Sequence, residues 1–342
     1  MIRCIVAIII FTSFFGFQTQ SQTLTPLAFG KNTSLRGLSV VDDTVAWASG
    51  SKGWTASSVN GGKTWNWKQI PGYENLDFRD IEAFSANRVI LMSAGTPAVI
   101  LITTDGGSVW KEVYRNESPE IFLDGMDFWD ADRGLIYGDP IKGKLVLLKT
   151  SNGGTNWEDI SQNNTISLMA GEASFAASGT AIRCDSKGNT WIATGGIKSR
   201  IFYSSDYGNS WKVNDCSIIQ GKSSTGPFSI AFYTKKIGIA VGGDYLIDSS
   251  RVNNLLLTNN SGKTWLKPSI STFGYRSAVE YLSNFRLIAT GPGGTDISND
   301  GGKNWMNFSL IDIILLEKQN QENLSCSLVV MVELLPSLTN FN

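Results

Sequence analysis

Short runs of β-branched, aromatic and other apolar residues recur along the chain, each closed by glycine and small polar residues, which is how short strands joined by tight turns are written in sequence. One series reads LRGLSVV (35–41), FRDIEAF (78–84), LDGMDFW (123–129), EASFAAS (172–178), PFSIAFY (227–233) and RSAVEYL (276–282). A second follows each of these: TVAWASG (44–50), VILMSAG (89–95), GLIYGD (134–139), TWIATGG (190–196), IGIAVGG (237–243) and RLIATG (286–291). A third leads into a turn, as in VILITT (99–104) and LLLTNN (255–260), and a fourth leaves it at a tryptophan. Four strands per repeat predicts the blade of a propeller, because a flat array of such sheets exposes its edges while a ring buries its faces.

The turn between the third and fourth strands is the most regular feature. Six segments share Ser/Thr-x-Asp/Asn-x-Gly-x-x-Trp: SVNGGKTW (58–65), TTDGGSVW (103–110), TSNGGTNW (150–157), SSDYGNSW (204–211), TNNSGKTW (258–265) and SNDGGKNW (298–305). Their tryptophans, Trp65, Trp110, Trp157, Trp211, Trp265 and Trp305, lie 45, 47, 54, 54 and 40 residues apart, one blade per interval. The acid or amide at Asn60, Asp105, Asn152, Asp206, Asn260 and Asp300 is suited to accept backbone N–H bonds in an Asx-type turn. Gly62, Gly107, Gly154, Gly208, Gly262 and Gly302 stand where positive φ is needed, and each tryptophan can fold its ring over the turn.

Composition narrows the chemistry. The 29 basic and 30 acidic residues give a net charge of -1, so no global field recruits nucleic acid or an anionic membrane. With no histidine anywhere, a Ser-His-Asp triad, a Cys-His pair and histidine-ligated zinc are all excluded. No metal-ligand cluster and no GxGxxG on a strand–helix unit is present, so neither a metal nor a cofactor is expected. The segment IIQGKSSTGP (218–227), with Lys222, lacks the spacing and the following helix of a phosphate loop. Arg3, the apolar run Cys4–Phe17 and the polar stretch after it read as a signal peptide over residues 1–22, implying export to the periplasm, the cell surface or the medium. Without Cys4, three cysteines remain, an odd number that argues against a disulfide framework and leaves a single Cys184–Cys216 bridge as the alternative.

The six boxes are those of the Asp-box, or BNR, repeat, and the chain resembles seven-bladed propellers related to the photosystem II stability and assembly factors. That resemblance implies an all-β, seven-bladed β-propeller over residues 23–309. It also implies a monomeric, non-catalytic scaffold for a protein partner in the cell envelope, peripheral to a membrane at most. Exported relatives of this kind sometimes carry the name of an oxidoreductase or a glycosyl hydrolase, and sialidases, sortilin-type receptors and xyloglucan hydrolases share the box, so the motif speaks for fold rather than activity. The seventh blade is expected from the chain ends, with a strand near Leu24–Phe29 closing the ring. Residues 310–342 fit this poorly: they hold no Gly, Trp or Tyr, while the preceding 309 hold all 35 glycines.

Ligands of propellers bind at the mouth of the central channel, where the innermost strands begin. Aligning those strands brings Arg36, Arg79, Asp80, Asp124, Glu172, Tyr275 and Arg276 toward one end, with Lys222 nearby. The arginines would suit a carboxylate, a phosphate or the acidic segment of a partner; ion pairs between blades are the alternative. Were the chain a hydrolase, Asp80, Glu172 and Asp124 would supply its carboxylates, and a sugar-binding surface would give a glycan as ligand. The long segment GGDYLIDSSRVNN (242–254) exceeds what a blade needs and reads as a rim loop. Reading the possible codons of residues 310–342 in a shifted frame restores glycines and turn grammar, so we expect resequencing of the gene to reveal a frameshift near Leu310–Asp312; an intact reading frame would remove the idea.

Overall fold

A computed structural model describes residues 33–163 and 165–309 together with the strands Leu315–Lys318 and Leu328–Met331. The expected signal peptide, the strand near Leu24–Phe29, Cys4, Cys326 and the remainder of the 310–342 tail lie outside the described residues. Six antiparallel sheets follow one another along the chain and pack side by side around an axis, a β-propeller. Blade one shows the order from the axis outward: Leu35–Val40, Ala46–Gly50, Trp54–Ser58, Asn66–Gln69. The other inner strands are Phe78–Ala83, Leu123–Phe128, Glu172–Ala173 with Ile182–Cys184, Thr225–Phe232 and Ala278–Tyr281. Second strands such as Val89–Ser93 and Thr190–Gly196 are buried at every position, sandwiched between blades, so they are apolar or small throughout instead of alternating. The outer strand Asn66–Gln69 is wholly or partly exposed and polar except for Trp67, which packs back on the blade's core.

Two blades depart from the plan. In blade five the outer strand is reduced to a bridge between Leu257 and Leu266, because Pro268 follows and has no N–H to donate. In blade four the inner strand is split, and residues 174–181 run between its halves across the axis. That crossing segment touches four other blades. Arg79 donates to Ala176 O at 3.1 Å, Ser174 N–H donates to Asp139 Oδ1 at 3.0 Å, and Ser178 Oγ donates to Ser277 O at 2.8 Å. Thr180 Oγ1 donates to Ser229 Oγ at 2.6 Å. The channel is thereby plugged by the chain itself.

Among the described residues there are six blades, not the expected seven. Where a seventh would stand, the tail contributes a two-stranded sheet of Leu315–Lys318 and Leu328–Met331, the first strand lying against the inner strands of blades one and six. The tail has no glycine and no box, so it lacks the turn chemistry that builds the outer half of a blade. Cys184 and Cys216 are free thiols, which corrects the bridge considered above. Cys184 ends an inner-strand segment, and Cys216 directly follows the outer strand Lys212–Asp215. Three strand spacings of about 4.8 Å separate them, well beyond the Cα separation of about 7 Å that a disulfide tolerates.

Neighbouring inner strands are stitched by side chains. Ala83 N–H donates to Ser39 Oγ at 3.0 Å, Met126 N–H to Asp80 Oδ2 at 2.7 Å, Cys184 N–H to Asp127 Oδ2 at 2.6 Å and Val279 N–H to Ser229 Oγ at 3.1 Å. Each acceptor sits one blade before its donor. Between blades four and five the backbone does the same work, Ile230 N–H donating to Thr180 O at 3.0 Å.

Burial pushes the Asp80 carboxyl up to about 7 and the Asp127 carboxyl up to about 6, against the N–H bonds that favour their charged forms. The folded state therefore holds these protons at pH values where the unfolded chain, with its Asp near 3.9, has lost them. Their contribution to stability is fully present below the unfolded value of about 3.9 and is lost progressively as pH rises from there through the folded pKa. The box acids run the other way. The N–H of Val109 chiefly holds Asp105 below the usual range, while at Asp206 and Asp300 burial is outweighed by several hydrogen bonds. Urea titrations should thus show stability rising as pH falls from about 7 to about 5 and dropping again below about 4; a maximum above pH of about 7 would contradict this assignment.

Candidate functional site

The two ends of the ring differ. At one end each box closes its hairpin by a fixed pattern, with Ser58, Thr103, Thr150, Ser204, Thr258 and Ser298 each accepting the N–H of the box glycine four residues later at 2.9–3.0 Å. The acid or amide then accepts the N–H before the tryptophan, for example Asp105 Oδ1 from Val109 at 2.9 Å and Asn260 Oδ1 from Thr264 at 3.0 Å. Trp65, Trp157, Trp211 and Trp305 donate back to the carbonyl of that glycine at 2.9–3.1 Å. Gly154 has φ of +79° and any Cβ there would meet Ile90 of the preceding blade at 2.3 Å, so the box also seats one blade on another. These groups are spent on structure.

The opposite end is the mouth, where inner strands begin and the loops between second and third strands open. Several residues expected there are committed elsewhere. Asp80 accepts Ile81 N–H at 2.9 Å as well as Met126 N–H, and is buried. Glu172 is buried and ion-paired with Arg200, and accepts Thr194 Oγ1 and, at 3.0 Å, the N–H of Met169. Arg276 is buried against Asp296, with Nε at 2.9 Å and Nη2 at 2.8 Å from Oδ2, and donates from Nη1 to Tyr275 O at 2.8 Å. It is a fastening within blade six. Arg79 is braced by Asp77 at 2.8 Å and by Ala176 O. Lys222 reaches out to Asp244 at 3.6 Å, and its loop is closed by Thr225 without any cradle for a phosphate.

What remains is more distinctive. Arg36 has no protein partner for its buried Nε and lies near enough to Tyr275 for its charge to oppose the burial that raises that phenol's pKa. Tyr275 stands edge-on to Phe228 at 4.8 Å, Phe228 stacks on Phe175 at 3.9 Å, and Tyr245 meets Phe228 edge-on at 6.0 Å. These rings come from the crossing segment of blade four, from blades five and six, and from the long loop of blade five. Around them, exposed apolar side chains gather at the same end: Met169, Ile197, Tyr245, Leu246, Ile247, Val252 and Phe273, with Leu246 at 74% and Val252 at 61% exposure. Ile197 N–H bonds Gly171 O, Ile219 N–H bonds Asn253 O, and Arg251 lies 4.1 Å above the Phe273 ring, so the loops that carry them are tied together. Asp124 is buried between blades two, three and four, its Oδ2 without a protein partner; burial and then Asp139 push its carboxyl well up, with Arg79 opposing.

The sequence pointed to Arg36 and Tyr275 through strand alignment and to the 242–254 loop through its length. It missed the aromatic cluster, although Leu246 and Ile247 inside a loop were a usable signal. Asp80 and Glu172, the pair expected of a hydrolase, share no hydrogen bond or ion pair and each has its oxygens occupied by protein donors.

A family model described as photosynthesis system II assembly factor YCF48 matches residues 18–119. Among solved structures, YCF48 bound to D1 peptide is 15% identical over 80% of this chain and 82% of that one, with a TM-score of 0.55. YCF48 from Cyanidioschyzon merolae is 18% identical over 86% and 91%, with a TM-score of 0.57. The WD40 repeats of RRP9 are 12% identical over 92% and 91%, with a TM-score of 0.60. No curated protein sequence matches significantly. The chain is thus a BNR-repeat propeller that resembles the photosystem II assembly factor.

Breaking the pair at the mouth tests its structural role. Glu172→Gln leaves Arg200 without its counter-charge and should cost about 3 kcal/mol of unfolding free energy in urea; a cost under about 1 kcal/mol would return Glu172 to the list of spare carboxylates.

Proposed function

We propose that this propeller is an exported, non-catalytic scaffold that holds a segment of a protein partner in the cell envelope at its mouth. The observation that carries the reading is the convergence there of exposed apolar side chains from blades four to six beside the half-buried, partly unpartnered Arg36. Large contiguous apolar patches rimmed by polar groups mark interaction sites on soluble proteins, and rigid aromatic anchors with an arginine are the usual high-energy residues of an interface. YCF48 has been solved with a D1 peptide bound, so a propeller of similar fold does hold a peptide. Export rests on the signal-peptide pattern of residues 1–22.

Catalysis is disfavoured by the commitments of Asp80 and Glu172 described above. A photo-crosslinking residue at Leu246 should capture one partner in the native envelope, while the same probe at Val109 on the box end should not. Capture at Leu246 should be lost on Val252→Asp or Arg36→Glu. Equal labelling from both ends, or labelling indifferent to Val252→Asp and Arg36→Glu, would overturn the placement.

A further inference from the structure

We infer that the cleft between the outer edge of blade three and the box of blade four binds a saccharide through its hydroxyl groups. The cleft has a volume of about 560 Å³, with Lys149, Asn152, Asn156, Glu158, Ile160 and Asn209 in its wall, a size within the range of roughly 300–1,000 Å³ usual for small-molecule sites. Its origin is the outer strand of blade three, Glu158–Asp159, which has 2 residues where those of blades two and four, Lys111–Asn116 and Lys212–Asp215, have 6 and 4. The sheet stops early, and the gap faces the box turn of the next blade. Alternation along the third strand, Lys144–Thr150, sets the wall. Leu145 and Leu147 pack into the core shared with Ile192, Ile201 and Phe202 of blade four, so Lys149 faces the same way, as does Glu158, its partner in the ladder. Ile160 packs on that core too and gives the cleft an apolar floor.

Lys149 and Glu158 are opposite in charge and in register, yet they are not ion-paired. The ammonium turns instead to Asn209 Oδ1 of box four at 2.9 Å and keeps further N–H groups to donate. The exposed Glu158 carboxylate accepts no hydrogen bond among the described residues. Box three adds two idle amides. In blades one and five the amides of Asn60 and Asn260 donate to Thr64 and Thr264 at 2.8 and 2.7 Å, and in blade six Asn304 donates to Asp300 at 2.6 Å. Blade three has Asn152 and Asn156 at these positions. Asn152 Oδ1 closes the turn in the usual way, but among the described residues Asn152 Nδ2 and the Asn156 side chain bond to nothing. The wall thus offers a donor-only ammonium, an acceptor-only carboxylate and amides that do both, beside an apolar floor. One positive charge against one negative gives no preference for a phosphate or an amine. A hydroxyl both donates and accepts, so adjacent hydroxyls of one sugar ring can accept from Lys149 and donate to Glu158 while the amides take their neighbours and the ring's C–H groups lie on Ile160.

The cleft lies at the opposite end of the ring from the mouth, so sugars test it apart from partner docking. Cellobiose, maltose, lactose and chitobiose, each titrated into the full chain and followed by saturation-transfer NMR and calorimetry, should include at least one that binds, and glycine, a small zwitterion, should not displace it. Glu158→Gln, at an exposed position, should weaken the affinity for that sugar about tenfold or more. Asn156→Thr restores the closed box of blades one and five, so it should weaken binding severalfold while the melting temperature stays the same or rises; a folding defect cannot then account for the loss. Affinity that grows with longer oligomers of the same sugar would assign the occupant to a glycan chain, and affinity independent of length to a free sugar; either supports the inference. Absence of binding by all of these disaccharides at millimolar concentration, displacement by glycine, or unchanged affinity in both variants would overturn it and leave the docking proposal standing.

Discussion

An innermost strand in a ring of sheets has a partner on one side only, so the edge facing the axis carries N–H groups that must find acceptors elsewhere. This protein meets that constraint by letting each blade reach forward to the next. Ser39, Asp80, Asp127 and Ser229 accept N–H groups from the following inner strand, and the Thr180 carbonyl does so where blade four is split. The circle of blades is therefore fastened at its narrowest circumference, where a hydrogen bond screened from water is strongest and a missing one most costly.

That fastening decides how the acids near the axis should be understood. Perturbed carboxyls in a cleft are ordinarily candidates for catalysis, yet Asp80 and Asp127 are perturbed because burial that serves the joint between blades also strips them of solvent. Glu172 with Arg200 and Arg276 with Asp296 are fastenings of the same kind within single blades. Once these are set aside, Arg36, Asp124, Tyr137 and Ser174 are among the described residues that keep a buried polar atom without a protein partner. The mouth thus presents an aromatic and aliphatic surface, while the box end has the polar groups that close its hairpins consumed by its own turns.

Closure of the ring is the weakest joint. Six blades carry the box that forms the hairpin between third and fourth strands, and the tail carries none, so the space between blades six and one is occupied by a two-stranded sheet. A strand pair can satisfy the flanking inner strands, but it brings no outer half to extend the blade-to-blade packing seen elsewhere.

Sequence by itself determined the blade plan. The hydrogen bonds that close each box hairpin lie within eight consecutive residues, and a buried second strand must be apolar or small whatever surrounds it, so Asn60 to Trp65 or Val89 to Ser93 could be assigned from local chemistry. Tertiary structure decided everything that spans blades. The acceptor Asp80 and its donor Met126 are 46 residues apart, and Asp127 and Cys184 are 57 apart, so nothing near either residue announces whether it fastens, binds or catalyses. The number of blades, the crossing of the axis by residues 174–181 and the meeting of Phe175, Phe228 and Tyr275 have the same origin: they depend on how the ring closes, and ring closure is a property of the packed faces of all the sheets at once.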